Sequence, residues 1–177
     1  MNKIIYYVAV SLDGYISGPN EDVSRFVGKG DGVERYLADL KQFKTVIMGR
    51  KTYEFGYKYG LVPGQPAYSH MEHYIFSHSL KLENMHENVH IEPPDVDRIK
   101  IIRENSPSDV YLCGGGQFAG WLLDHELIDE LILKINPIIL GGGVRIFGDS
   151  TKDCSLTLIE SQMYDNGLQI SRYKITS

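Results

Sequence analysis

The chain is poor in cysteine, with only Cys113 and Cys154 among 177 residues. Two thiols make neither a disulfide framework nor a paired metal-ligand spacing, so both are expected as buried free thiols in a reducing cytoplasm. A basic excess is also lacking: 18 Lys and Arg against 23 Asp and Glu leave a net charge of −5. That balance argues against a non-specific nucleic-acid binder or a binder of anionic membranes and says little about small-molecule substrates. Long apolar runs are missing too. The longest early one, Ile4 to Val10, is far shorter than the roughly 20 residues that cross a bilayer. No basic segment leads into an apolar stretch as in a signal peptide. No repeat, low-complexity tract or Gly/Ser linker divides the chain, so residues 1–177 are expected to form a single domain with one substantial core.

What is present is an alternation of patterns. Near-continuous apolar runs such as "KIIYYVAV", "TVIMG" and "DVYLC" are those of strands buried on both faces. Between them, "GVERYLADLKQF" places Val33, Tyr36, Leu37, Leu40 and Phe43 at helical spacing. "RKTYEFG", "DVDRIKIIREN" and "GQFAGWLLDH" read as further helices, the second with Asp95 as its N-cap. "HYIFS", "ENVHI" and "ELILKINPIIL" read as strands, and "SLDGYISGPNED" as a loop. Two closing strands flank Asp165-Asn166-Gly167, a hairpin signal. The expected fold is an α/β three-layer sandwich, with a mixed, mostly parallel sheet, flanking helices and a C-terminal antiparallel hairpin.

Two junctions carry the chemistry. Gly114-Gly115-Gly116-Gln117-Phe118-Ala119 follows a strand and opens a helix. Glycine backbone and free helix-start N–H groups suit a phosphate, although the triplet also suits a tight structural turn. A Rossmann fingerprint would need an acid at the end of the following strand, about 20 residues on; that strand reads "LKIN", with Lys134 there. "TVIMGRKTYEFG" repeats the arrangement, with Arg50, Lys51 and Thr52 in the first helical turn after Gly49. Cations are unfavourable at a helix start unless an anion joins them. Two such sites suit a dinucleotide.

The motifs "VIMGRKTYE", "IFSHS" and "VYLCGGGQFAGWLL" resemble those of dihydrofolate reductases. "AVSLDGYIS" and "IDELILKINPIILGGGVRIF" look more like the reductase domain of bacterial riboflavin biosynthesis, the RibD C-terminal type. The resemblance spans nearly the whole chain and implies a homodimeric reductase of the dihydrofolate-reductase-like superfamily using NADPH. It places Ala9 and Val10 at the nicotinamide carboxamide, and Ile16, Ser17 and Gly18 in a covering loop. Gly49, Arg50, Lys51 and Thr52 would support phosphates, and Ser77 and His78 would reach the 2′-phosphate. Gly114, Gly115, Gly116, Gln117 and Phe118 would cradle the pyrophosphate. The turn Leu140 to Gly143 falls where a family loop packs on the flap, and also reads as a plain tight turn.

The acid that folate reductases carry at the start of the first helix would be Asp31 or Glu34, which read equally well as ordinary helix-start charges. "PGQPAYSHMEHY" lacks the arginine that holds the folate tail. The resemblance therefore implies hydride transfer from NADPH to a C=N or C=O of a small heterocyclic or ribosylamino-pyrimidine-like substrate. The rivals are dihydrofolate reductase itself and a nucleotide-binding protein without chemistry. His70, His73 and His78 are read as surface or core histidines rather than a metal site, because positions three apart on a strand point to opposite faces.

Overall fold

A computed structural model describes residues 1–176. The central strand, β1 (Ile4–Ser11), is flanked by β6 (Val110–Gly114) and β7 (Glu130–Asn136), both parallel to it. Beyond β6 lie β3 (Thr45–Gly49), β4 (Glu72–Phe76) and β5 (Val89–Glu92), also parallel. On the other side, β10 (Gln169–Thr176) pairs antiparallel with β7, and β9 (Ser155–Met163) closes the edge, giving the order β5-β4-β3-β6-β1-β7-β10-β9. The expected α/β architecture with its terminal hairpin is what forms.

Alternation along β1 builds two cores. Ile4 and Tyr6 face one cluster, with Ile99 and Ile102 of α3 (Val96–Asn105) and Phe118, Ala119, Leu122 and Leu123 of α4 (Gly116–Asp124). Ile5 and Tyr7 face the other, with Leu40 of α1 (Asp31–Leu40) and Tyr53 of α2 (Arg50–Phe55). A strand buried on both sides has no polar face to show, which is why these runs read as continuously apolar. Asp95 does cap α3, its Oδ1 accepting from the Arg98 N–H at 2.7 Å.

The loop expected over "SLDGYISGPNED" holds a short strand. β2 (Tyr15–Ser17) pairs antiparallel with β8 (Val144–Arg145), far away in sequence. Strands of three and two residues leave no periodicity to read; only the tertiary approach of the two segments creates them. The strand expected to run to Leu140 ends at Asn136, since Pro137 has no N–H to continue the ladder. The two free thiols expected to be buried are not: Cys113 is half-buried, and Cys154, just ahead of edge strand β9, is exposed.

Adjacent β3 and β6 send their following helices to opposite faces, α2 to one and α4 to the other. Such a reversal opens a crevice at the carboxyl ends of the strands, where α/β sheets bind ligands.

Candidate active site

The two glycine junctions meet in that crevice. A Cβ on Gly49 would lie 3.2 Å from the Phe118 Cβ and 3.8 Å from the Gly115 nitrogen. A Cβ on Gly115 would lie 2.9 Å from the Thr52 hydroxyl. Gly49 and Gly115 are the N-caps of α2 and α4, and neither helix has a side-chain cap. By helix geometry, the N–H groups of Arg50, Lys51 and Thr52, and of Gly116, Gln117 and Phe118, have no carbonyl one turn earlier. Two sets of donors thus converge on one small space, a cradle that any β-carbon would fill. The Gly114–Gly115 peptide between the two junctions is cis.

Not every glycine of the triplet faces that space. A Cβ on Gly116 would meet the Arg145 carbonyl oxygen at 2.2 Å, and one on Gly120 the Phe147 oxygen at 2.2 Å. These two let the segment after β8 lie directly on α4. The Gln117 side chain turns to the surface, where its Nε2 donates to Asp149 at 2.8 Å.

At the end of β1, Ala9 is half-buried and Val10 buried. The Val10 carbonyl accepts from Asn136 Nδ2 at 3.3 Å, while Asn136 Oδ1 accepts the Val27 N–H at 2.8 Å. Ile16 and Ser17 sit in β2, and a Cβ on Gly143 would overlap the Ser17 oxygen at 2.1 Å. The glycine turn therefore packs on the flap. Asp13 ties the two together: its carboxylate accepts from the Ser11 hydroxyl at 2.6 Å and from the N–H groups of Leu140 and Gly141 at 3.0 and 2.7 Å. Those bonds, the Ser11 hydroxyl first, lower its pKa to about 2.

Arg50 is exposed and reaches the turn after β4, where its guanidinium donates to Ser79 Oγ at 3.0 Å and to Glu54 at 2.9 Å. Ser77 Oγ instead accepts the Ser79 and Leu80 N–H groups at 3.2 and 3.0 Å, which shapes the turn. His78 and Lys51 are exposed. The polar group that the sequence reading missed here is Ser79, and the Ser-x-Ser spacing after a strand was the available signal.

Asp31 and Glu34 lie exposed in the first turn of α1. The inward face of that helix carries Tyr36 instead. Its hydroxyl sits 2.9 Å from that of Tyr111, and its ring 3.5 Å from the Lys134 ammonium. Tyr68 contacts Cys113 at 3.7 Å. Burial without a carboxylate partner lowers the Lys134 pKa to about 8. A lone lysine in the apolar run "ELILKIN" was the sequence signal for this group, which the site assignment left out.

The histidines are separately engaged. His73 is buried, with Nδ1 on the Met71 carbonyl and Nε2 accepting the Tyr68 N–H at 3.1 Å, and desolvation lowers its pKa to about 4. His70 bonds the Leu40 carbonyl at 2.9 Å. Among the described residues no group of three or more His, Cys, Asp or Glu could hold a metal.

The chain is 28% identical over 171 residues to the uncharacterized Bacillus subtilis (strain 168) protein YwjB, covering 95% of each chain. It superposes with TM-score 0.83 and 23% identity on a candidate riboflavin biosynthesis protein of Shewanella sp. PV-4, covering 99% of both chains. Dihydrofolate reductase of Enterococcus faecalis, solved with NADP(H), shares the fold at TM-score 0.66 and 13% identity, covering 99% of this chain and 97% of that one. The model of the RibD C-terminal domain matches residues 2–170. With two glycine-capped helices converging at the strand ends beneath a flap, and that match along nearly its whole length, the chain belongs to the RibD C-terminal domain family.

Proposed function

We propose that this protein is an NADPH-dependent reductase acting on a C=N or C=O bond of a small heterocyclic substrate of the ribosylamino-pyrimidine type. The convergence of the Gly49 and Gly115 helix starts carries the reading, because it offers two sets of unpaired N–H donors with Arg50 beside them. Its family and the NADP(H) bound to the Enterococcus relative support the same cofactor. When bound, NADPH supplies hydride. The chain's own part is to hold the phosphates at the glycine junctions, to align the rings, and to exclude water with the flap that Asp13 fastens. We assign substrate to the Tyr36 side of α1, where the Tyr111 hydroxyl and the Lys134 ammonium meet that tyrosine, whereas Asp31 and Glu34 are exposed.

The reading includes a cytoplasmic homodimer. Free Cys113 and Cys154 fit a reducing compartment, and no helix among the described residues is long and apolar enough to cross a membrane. Edge strand β9 exposes all nine residues, Leu156, Leu158, Ile159 and Met163 among them, a surface that a second copy would cover.

The experiment is equilibrium titration with NADPH and NADH, then NADPH oxidation with 5-amino-6-(5-phosphoribosylamino)uracil and with dihydrofolate. NADPH is expected to bind more than about tenfold tighter, or 1.4 kcal/mol, and the pyrimidine to be the better substrate. Failure to bind NADPH overturns the reading. Efficient dihydrofolate turnover makes the protein a dihydrofolate reductase, and binding with no turnover of either makes it a nucleotide-binding protein.

A further inference from the structure

Five polar side chains gather where the sheet's carboxyl edge meets α1, and none belongs to the phosphate cradle. Lys134 enters from β7, with Ala9 of β1 directly beside it in register. Cys113, the residue before Gly114, and Tyr111 come from β6. Tyr36 comes from α1, and Tyr68 from the loop before β4. The Tyr36 ring lies 3.5 Å under the ammonium, the Tyr36 and Tyr111 hydroxyls are 2.9 Å apart, and the Tyr68 hydroxyl is 3.7 Å from the Cys113 thiol. Tyr111 is buried, while Lys134, Cys113, Tyr36, Tyr68 and Ala9 are half-buried and keep part of their surface open.

The ammonium is the anomaly. It sits on the inward face of β7, in line with Ile132 of the core. Among the described residues it has neither an ion pair nor a hydrogen bond. A lysine held away from carboxylates is costly to charge, and the Tyr36 ring face, its one favourable partner here, offsets only part of that cost. A charge kept at such a place, beside the glycine junction and the end of β1, has a use in chemistry.

We infer that Lys134 is the proton donor of the reduction, and that the substrate atom facing it is an acceptor, an imine nitrogen or a carbonyl oxygen. The inference rests on the reductase reading and adds to it the acid and the polarity of the substrate. In the reaction the substrate carbon gains hydride from NADPH, leaving NADP⁺. The C=N or C=O π pair takes a proton from the Lys134 ammonium, and solvent reprotonates the neutral amine. An ammonium donates only, and no carboxylate contacts it or the hydroxyl pair. A ring presenting paired N–H donors, as a pterin does, would be left without its acceptors here, whereas a uracil-like dione would be matched. The Tyr36 ring faces the ammonium from α1 and the Cys113 thiol acts on it from β6, with Tyr111 and Tyr68 in turn bonded to that tyrosine hydroxyl and that thiol. The thiol is the only one with a charge influence on it, so desolvation dominates and brings the amine to about 8, a value suited to giving up a proton near neutral pH.

The test follows lysine ¹³Cε–¹Hε signals by NMR across a pH titration, with Lys134 identified by its loss in Lys134→Met. The signal is expected to titrate near pH 8, well below the ordinary lysine value of 10.5, and to move when NADP⁺ is added. Binding is read independently from the Gly115 amide. With 5-amino-6-(5-phosphoribosylamino)uracil as probe, Lys134→Met and Lys134→Arg should bind NADP⁺ as wild type does and lose about 100-fold in kcat with little change in KM. Arginine keeps the charge but not the transferable proton. A Lys134 signal that titrates at the ordinary lysine value of 10.5, one that stays still while the Gly115 amide reports binding, or a Lys134→Met variant with wild-type kcat overturns the inference and leaves the reductase reading intact. No response of either signal to NADP⁺ overturns the reductase reading and the donor role together.

Discussion

The junction at Gly49 opens a helix of six residues whose first turn is exposed cations, while the junction at Gly114–Gly116 opens one of nine residues, six of them buried. In sequence both are a strand, glycine and a helix. In the fold, the side chain that opens α2 lies on the surface: Arg50 is held there by Glu54 and Ser79. The start of α4 is clamped by backbone, since Gly116 and Gly120 lie against the oxygens of Arg145 and Phe147. One junction is therefore packed by backbone contacts, and the other presents an exposed cationic side chain. On the proposed reading the first would take the pyrophosphate and the second attract the terminal phosphate.

The largest break in that comparison should come from Gly120→Ala. The new methyl carbon would stand 2.2 Å from a backbone oxygen, with no side chain free to turn away. Overpacking of this kind typically costs about 1–3 kcal/mol and more where backbone must move, so a loss at or above about 3 kcal/mol is expected in urea denaturation. Stability within about 1 kcal/mol of wild type would show that α4 is not clamped.

Gly115→Ala separates cradle from clamp. Its Cβ meets only the Thr52 hydroxyl, at 2.9 Å, and Thr52 can change rotamer. The protein should fold normally and lose at least about 100-fold in NADPH affinity, some 2.7 kcal/mol. Wild-type NADPH titration by a folded variant would reduce this junction to a turn.

At the exposed Arg50 side chain the effects are smaller and selective. Arg50→Ala should weaken NADPH by about tenfold while leaving NADH within about twofold. Glu54→Gln, which releases the guanidinium from its i,i+4 partner, should raise the NADPH preference by a few-fold, since exposed pairs contribute little. Equal losses for both cofactors in Arg50→Ala would assign the arginine to the pyrophosphate.

The smallest effect concerns the flap above both junctions. Asp13 is more acidic folded, at about 2, than its ordinary value of 3.8. Its contribution is thus complete above pH 3.8 and disappears as pH falls through about 2. Amide exchange at Leu140 and Gly141, corrected for intrinsic rates, should show constant protection from neutral pH down to about pH 4 and loosening below it. Asp13→Asn should loosen both amides at neutral pH; unchanged protection there would detach the flap from Asp13.

Much of this was legible in the chain. Doubly buried strands announce themselves as unbroken apolar runs, and Asp95 and Asn166-Gly167 mark a cap and a hairpin through local hydrogen bonding and turn geometry. The glycine junctions were legible for the same reason: a strand, glycine and helix start are contiguous. Lys134 and Ser79 left only a local mark, a lone lysine in an apolar run and a Ser-x-Ser spacing, and the β2–β8 pair left none, because each gains its meaning from residues remote in sequence.

Local residue patterns by themselves determined the α/β layering, the antiparallel ending and the two anion-suited helix starts, since these depend on periodicity and on backbone freedom within a few residues. Only the tertiary structure decided that the two starts touch, that Gly116 and Gly120 serve packing, that Asp31 and Glu34 face water, and that Lys134 lies over Tyr36 with no carboxylate. Proximity across a sheet and the dielectric around a charge are properties of the whole packed molecule, and no stretch of sequence contains them.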